Sequence, residues 1–322
     1  MSYQLIFIYM KKTLAILLLI SYASLAQDFK IIGYYMPSSE PVQVAHYTHI
    51  NYSFAIPAKT GDTLLPLRNP ANARDMVRQV HELNKKIFIS VGGWGIGDGG
   101  GDDTRFHKMA ETAQGRKTFI ESTMKMVRDF SFDGVDLDWE YPDEDSPSAD
   151  HYVLLVSDLA DALHKEDKKL TAAVISYGKK GYGIKKEAFE KMDWINLMAY
   201  DDDYGPDYVK AHSPYSLALR SLDYWLNERG LPPHKAVLGL PYYSKKGMGN
   251  FGPDYKALLK DGASPYDDYW KGAFYNGILT IRLKTTLALD RKLGGVMVWE
   301  VRHDTKDEYS LGKAIYDTVH QK

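Results

Sequence analysis

The sequence predicts an α/β protein whose eight strands close into one (β/α)8 TIM barrel. Three observations lead there. Short apolar or β-branched runs alternate with longer amphipathic stretches along the chain, the pattern of strand–helix–strand units with a mostly parallel sheet. Eight such runs in one chain favour a closed barrel over an open, doubly wound sheet. The 322 residues suit one barrel, and no Pro/Ser-rich linker or internal repeat divides them.

In chain order, the first strand is Ile31–Tyr35, a run of Ile and Tyr interrupted only by Gly33. His49–Ala55 is the second, alternating Ile50, Tyr52 and Phe54 with Asn51 and Ser53. The amphipathic stretch Ala71–Asn84 reads as a helix, and the Ile- and Val-bearing run Lys86–Val91 returns as the third strand. Arg116–Phe130 is the next helix, Gly134–Glu140 the fourth strand, Asp150–Glu166 a helix and Leu170–Ile175 the fifth strand. Trp194–Tyr200 forms the sixth, Tyr215–Arg229 the helix after it, and Ala236–Leu240 the seventh. Ile281–Leu293 is helical and Gly295–Trp299 is the eighth strand. The longest connection, from Tyr242 to Gly294, is rich in Gly and aromatic residues. It is expected to be extended loop structure, with any α+β insertion between strands seven and eight reduced or absent.

The first 26 residues are set apart from the barrel. Lys11 and Lys12 precede the apolar run Leu14–Ile20, and Ser24 and Ala26 stand at −3 and −1 of a cleavage site before Gln27. That layout predicts a secretory signal peptide over 1–26, with Met10 an alternative start, and one catalytic domain over 27–322. The apolar run is short for a membrane span, so an uncleaved anchor is the lesser alternative and a secreted or periplasmic protein is expected. With no cysteine in the chain there is no disulfide, no thiolate chemistry and no lipid-anchored Cys.

Hydrophobic residues at 44% and charged residues at 25% describe a soluble protein with ample core, expected to act as a monomer. A net charge of −2 provides no basic field for nucleic acid. The 24 Tyr and six Trp fill core, and their flat faces with polar edges also suit sugar rings.

The chemistry concentrates in Phe132-Asp133-Gly134-Val135-Asp136-Leu137-Asp138-Trp139-Glu140-Tyr141-Pro142. Side chains alternate faces along a strand, so Asp136, Asp138 and Glu140 point one way. Asp133 has the opposite parity and suits the loop entering the strand. Carboxylates this close raise one another's proton affinity, which holds a proton at neutral pH and provides what a general acid needs. Glu140 lies nearest the C-terminal mouth, where barrel enzymes work. Hard cations also accept carboxylate oxygens, but no paired His lies nearby and Leu137 and Trp139 make the strand apolar. No metal or other cofactor is expected. The glycine-rich run from Gly92 to Gly101 lacks a phosphate-loop Lys-Ser/Thr and reads as a loop over the mouth.

DGVDLDWE resembles the D-x-x-D-x-D-x-E signature of family 18 glycoside hydrolases, the chitinases and their relatives. Ser90-Val91-Gly92-Gly93-Trp94 resembles the family's strand-three motif, Met198-Ala199-Tyr200-Asp201 its strand-six motif, Gly239-Leu240-Pro241-Tyr242-Tyr243 its strand-seven motif, and Gly294–Trp299 its strand-eight end. The resemblance implies a retaining hydrolysis in which the substrate's own 2-acetamido group is the nucleophile. It assigns Glu140 as acid and base, Asp138 as the holder of the acetamide N–H, Asp136 as its proton-sharing partner, and Tyr200 as donor to the acetamide oxygen. Asp201 is to contact the distorted sugar and Trp299 to floor it, with Tyr34 and Ser90 holding Asp136. Met198, Trp94, Tyr141, Tyr243 and Trp270 complete the expected substrate contacts. One departure stands out: where many members read Y-G-R, this chain reads Tyr243-Ser244-Lys245. The implied substrate is a polymer of β-linked N-acetylglucosamine. The alternatives are an endo-β-N-acetylglucosaminidase on N-glycans and a chitinase-like lectin that binds without cleaving.

Overall fold

The computed structural model describes residues 29–96, 102–145, 147–202, 211–247 and 249–321. The expected leader over 1–26 and the end of the glycine-rich loop, 97–101, lie outside the described residues.

Seven strands come first: β1 (Lys30–Tyr35), β2 (His49–Ala55), β3 (Lys86–Gly92), β4 (Gly134–Asp138), β5 (Lys169–Ile175), β6 (Trp194–Met198) and β7 (Ala236–Pro241). Four short ones follow, β8 (Tyr243–Lys245), β9 (Phe251–Asp254), β10 (Tyr269–Trp270) and β11 (Ala273–Phe274), and then β12 (Gly295–Trp299). Strands β1 to β7 and β12 form the closed parallel barrel that the alternation predicts, each beside its chain neighbour and β12 sealing it against both β7 and β1. Helices such as Pro70–Glu82, Ala113–Phe130, Ser148–His164 and Ile278–Asp290 carry the returns.

Strand alternation divides the apolar side chains into two bodies. Outward residues such as Val135, Leu137 and Trp139 pack beneath the helices, with the Trp139 ring stacked on Phe106 at 5.2 Å and 8°. Inward ones, among them Ile32, Tyr34, Phe88, Trp194, Val237 and Met297, fill the lumen. Phe88 stacks on Trp194 at 5.3 Å and His49 meets the same indole edge-on, giving the barrel an aromatic floor. Above that floor the inward positions turn polar: Ser90, Asp136, Thr171 and Asn196 are all wholly buried.

Three expectations need correction. Strands β4 and β6 end two residues earlier than expected, so Glu140 and Tyr200 stand on the loops that leave them. Each ladder stops where a neighbouring strand stops: Gly92, the last residue of β3, stands opposite Asp138, and Ile175, the last of β5, stands opposite Met198. The Tyr215–Arg229 helix is an α-helix to Leu222 and continues as a π-helical turn, Asp223–Glu228. The stretch after β7 is an insertion, reduced but present: a four-stranded antiparallel sheet in the order β10-β11-β8-β9 with the helix Tyr255–Lys260. Strands of two to four residues are too short to show a period, which is why the stretch reads as loop.

Candidate active site

Asp136 is the deepest of the three acids and has no exposed surface. Four donors converge on it: Tyr34 Oη at 2.7 Å and Ser90 Oγ at 2.9 Å on one oxygen, Thr171 Oγ1 at 2.6 Å and Asn196 Nδ2 at 3.0 Å on the other. Each donor comes from a different strand, and Asp136 stands opposite Ser90 and Thr171 in the ladders. Burial raises its pKa, while these hydrogen bonds to the charged form pull it back.

Asp138 has no such shell. Burial, then the charges of Glu140 and Asp136, then a hydrogen bond with Glu140 push its pKa well above the carboxylate range. Asp136, by contrast, already receives two donors on each of its oxygens. The Asp138 Oδ1 is buried with no hydrogen-bond partner among the described residues, an unsatisfied group in the wall of a cleft. Glu140 follows in the same cleft and accepts a hydrogen bond from Tyr141 Oη at 3.2 Å.

The glycine pair after β3 permits this arrangement. A Cβ on Gly92, at φ 122°, would lie 2.1 Å from the Asp138 carbonyl, and one on Gly93 would lie 2.7 Å from the Phe54 ring. Phe54 can thus stack on Trp299 at 5.8 Å and 21°, while Tyr34 tilts against the same indole at 5.7 Å. Just beyond Trp299, the buried Glu300 is clamped by Arg302 and by the backbone N–H of Met36. That anchor fixes the indole at the base of the cleft.

Tyr200 and Asp201 follow β6. Among the described residues the Tyr200 hydroxyl meets only Met297 Sδ, at 3.9 Å, and burial first, then Asp201, keep it protonated far above neutrality. Asp201, at φ 65°, receives Tyr243 Oη at 2.5 Å and Lys245 Nζ at 3.1 Å, and its carboxylate lies 3.3 Å from His212 Nδ1. Burial alone would raise its pKa, but His212 and Lys245 overcome that and hold it below the ordinary range. Behind this loop, the fully buried Lys284 gives its ammonium to Ser213 O, Ser213 Oγ and Asn276 Oδ1 at 2.7–2.8 Å. Ser213 Oγ in turn donates to the Ala199 carbonyl at 2.7 Å.

The cleft these groups line has a volume of about 640 Å³. Of the residues named from sequence, Glu140, Asp138, Tyr34, Met198, Tyr200, Asp201, Tyr243, Trp299 and Trp94 line it. Ser90 and Tyr141 do not line it but hold carboxylates, Ser90 from beneath Asp136 and Tyr141 beside Glu140. Trp270 lies outside the cleft: its Nε1 donates to Asp261 at 2.8 Å and its ring sits against Lys271. Sequence reasoning missed Phe54, Phe251, His212, Lys245 and Lys284. The Ser-Lys after Tyr243 was a visible signal for Lys245; nothing in the local sequence marks the others. Among the described residues, no group of three or more His, Asp or Glu is arranged to hold a metal ion.

Comparison with known proteins agrees with this geometry. The model of the family "Glycosyl hydrolases family 18" matches residues 30–304. A class V chitinase of Arabidopsis thaliana is 28% identical over 297 residues, covering 82% of this chain and 76% of its own. The structure of a GH18 chitinase from the chitin utilization locus of Flavobacterium johnsoniae superposes with a TM-score of 0.79 at 26% identity, covering 91% and 94% of the two chains. A GH18 chitinase variant from Cycas revoluta, solved in complex with (GlcNAc)4, superposes at 0.77 with 25% identity, covering 90% and 99%.

Proposed function

Since the chain belongs to glycosyl hydrolase family 18, we propose that it is a chitinase acting on β-1,4-linked N-acetylglucosamine chains. The observation that carries the proposal is the unpartnered Asp138 oxygen beside Glu140 and an available Tyr200 hydroxyl in one cleft. A buried acceptor without a donor suits a ligand N–H, and a lone phenol donor suits a carbonyl oxygen. A 2-acetamido group has both.

Glu140 protonates the glycosidic oxygen, and the C1–O bond breaks as the acetamide oxygen attacks C1. Asp138 accepts the acetamide N–H and offsets the positive charge of the resulting oxazolinium ion. Tyr200 donates to the acetamide oxygen and orients it. Glu140, now a carboxylate, removes a proton from the water that opens the ring, which returns the β configuration at C1. Asp136 keeps its four donors throughout and sets the field that Asp138 experiences. Trp299 provides an apolar floor for the sugar.

Product analysis on chitohexaose and on a high-mannose glycopeptide tests this. Wild type is expected to cut chitohexaose, and Glu140→Gln to lose roughly 10²–10⁴-fold in turnover while still binding it. Cleavage of the glycopeptide alone would assign an N-glycan endoglycosidase instead. Binding without cleavage of either would assign a lectin.

A further inference from the structure

We infer that the insertion sheet carries an aromatic row that extends the sugar-binding cleft outward from Phe251 through Phe274 to Tyr269. The inference rests on the chitinase reading of the cleft and names where the rest of the chain lies. In an antiparallel sheet, residues directly opposite one another project from the same face. Here Tyr269 stands opposite Phe274, Phe274 opposite Lys245, and Lys245 opposite Phe251, four abreast across β10, β11, β8 and β9. The Lys245 ammonium reaches Asp201 and lies 4.7 Å from the Phe251 ring, so this face looks toward the active site.

The inner end of the row is in the cleft itself: Phe251 lines it and tilts against Tyr243 at 5.7 Å. At the outer end, the Tyr269 and Phe274 rings meet at 5.0 Å. Phe251 is 62% exposed and Tyr269 55%, so both rings offer open faces. Trp270 and Ala273, opposite each other on the reverse face, do pack inward. Three interstrand steps make the row roughly 14 Å long, enough for more than one pyranose ring. The C–H faces of a β-linked sugar chain pack on such rings while its hydroxyls stay in water. The occupant we assign is the part of a GlcNAc chain that leaves the cleft on the Asp201 side.

The test is calorimetric titration of chitotriose and chitohexaose into the Glu140→Gln protein, with and without Tyr269→Ala or Phe274→Ala. Each ring removal is expected to weaken hexaose binding at least about fivefold more than triose binding. Tyr269→Phe, which keeps the ring and tests folding of the sheet, retains hexaose affinity within about twofold. Equal losses for the two sugars, or no loss for hexaose, overturn the row while leaving the chitinase reading in place. Failure of Glu140→Gln to bind either sugar, with wild type inactive on chitohexaose, removes both.

Discussion

Two aspartates two positions apart on one strand face do different work because their shells differ. Asp136 is saturated by four donors, whereas Asp138 has Glu140 and an open oxygen. The parity of β4 already places Asp136, Asp138 and Glu140 together. It does not show how each acid is hydrogen-bonded, since that depends on Thr171 and Asn196 arriving from β5 and β6. On the proposed mechanism, replacing Asp138 by Asn keeps the shape but removes the charge that offsets the oxazolinium ion. Asp138→Asn is therefore expected to lower kcat on chitohexaose by roughly 10²-fold or more, with a smaller change in KM. A wild-type kcat in that variant would exclude acetamide participation.

At the scale of elements, the loop leaving β6 is held by a helix far along the chain. Lys284, on Ile278–Asp290, meets Ser213, which holds Ala199, the residue before Tyr200. Its three N–H groups face three neutral oxygens, and burial lowers its pKa to about 7, with Asp268 opposing weakly. Between about 7 and the ordinary lysine value near 10, the unfolded chain keeps a proton that the folded one has released. Stability therefore rises with pH in this window, by at most about 1.4 kcal/mol per pH unit from this group. Buried tyrosines such as Tyr34 and Tyr200, whose pKa values are raised, act in the opposite sense only above the ordinary tyrosine range. Urea midpoints measured from pH 7 to 9 should climb in wild type and climb less in Lys284→Met. Parallel profiles for the two proteins would contradict a buried, depressed lysine. The sequence marks this helix by its pattern, but a lysine inside an amphipathic stretch looks like any solvated one until the packing is known.

For the whole molecule, the relevant quantity is how far the cleft is walled. On one side stand Met36 after β1, Phe54 near the end of β2 and Trp94 after β3; on the other stand Tyr243 and Phe251 from the small insertion. On the proposed chitinase reading, a wall of four short strands lets a long polymer lie across the barrel mouth without threading an end through it. Early digestion of chitohexaose is accordingly expected to release dimer, trimer and tetramer together. Dimer as the sole first product would point to attack from a chain end. This expectation follows from the reduced insertion read from the β7–β12 connection, although that reading took the connection for loop.

The sequence by itself determined the barrel, because eight runs of period two separated by helical periods have one compact closed arrangement. It also determined the acids, because strand parity is a local property that one continuous segment carries. Only the tertiary structure decided which neighbours each acid would have. Asp136's donors lie as far as 102 residues away in the chain, and Lys284 lies 71 residues from Ser213. The insertion sheet likewise exists only as pairings between segments too short to declare themselves. Those pairings turn Trp270 inward and leave Tyr269 facing out, a distinction of one residue that only cross-strand register can make.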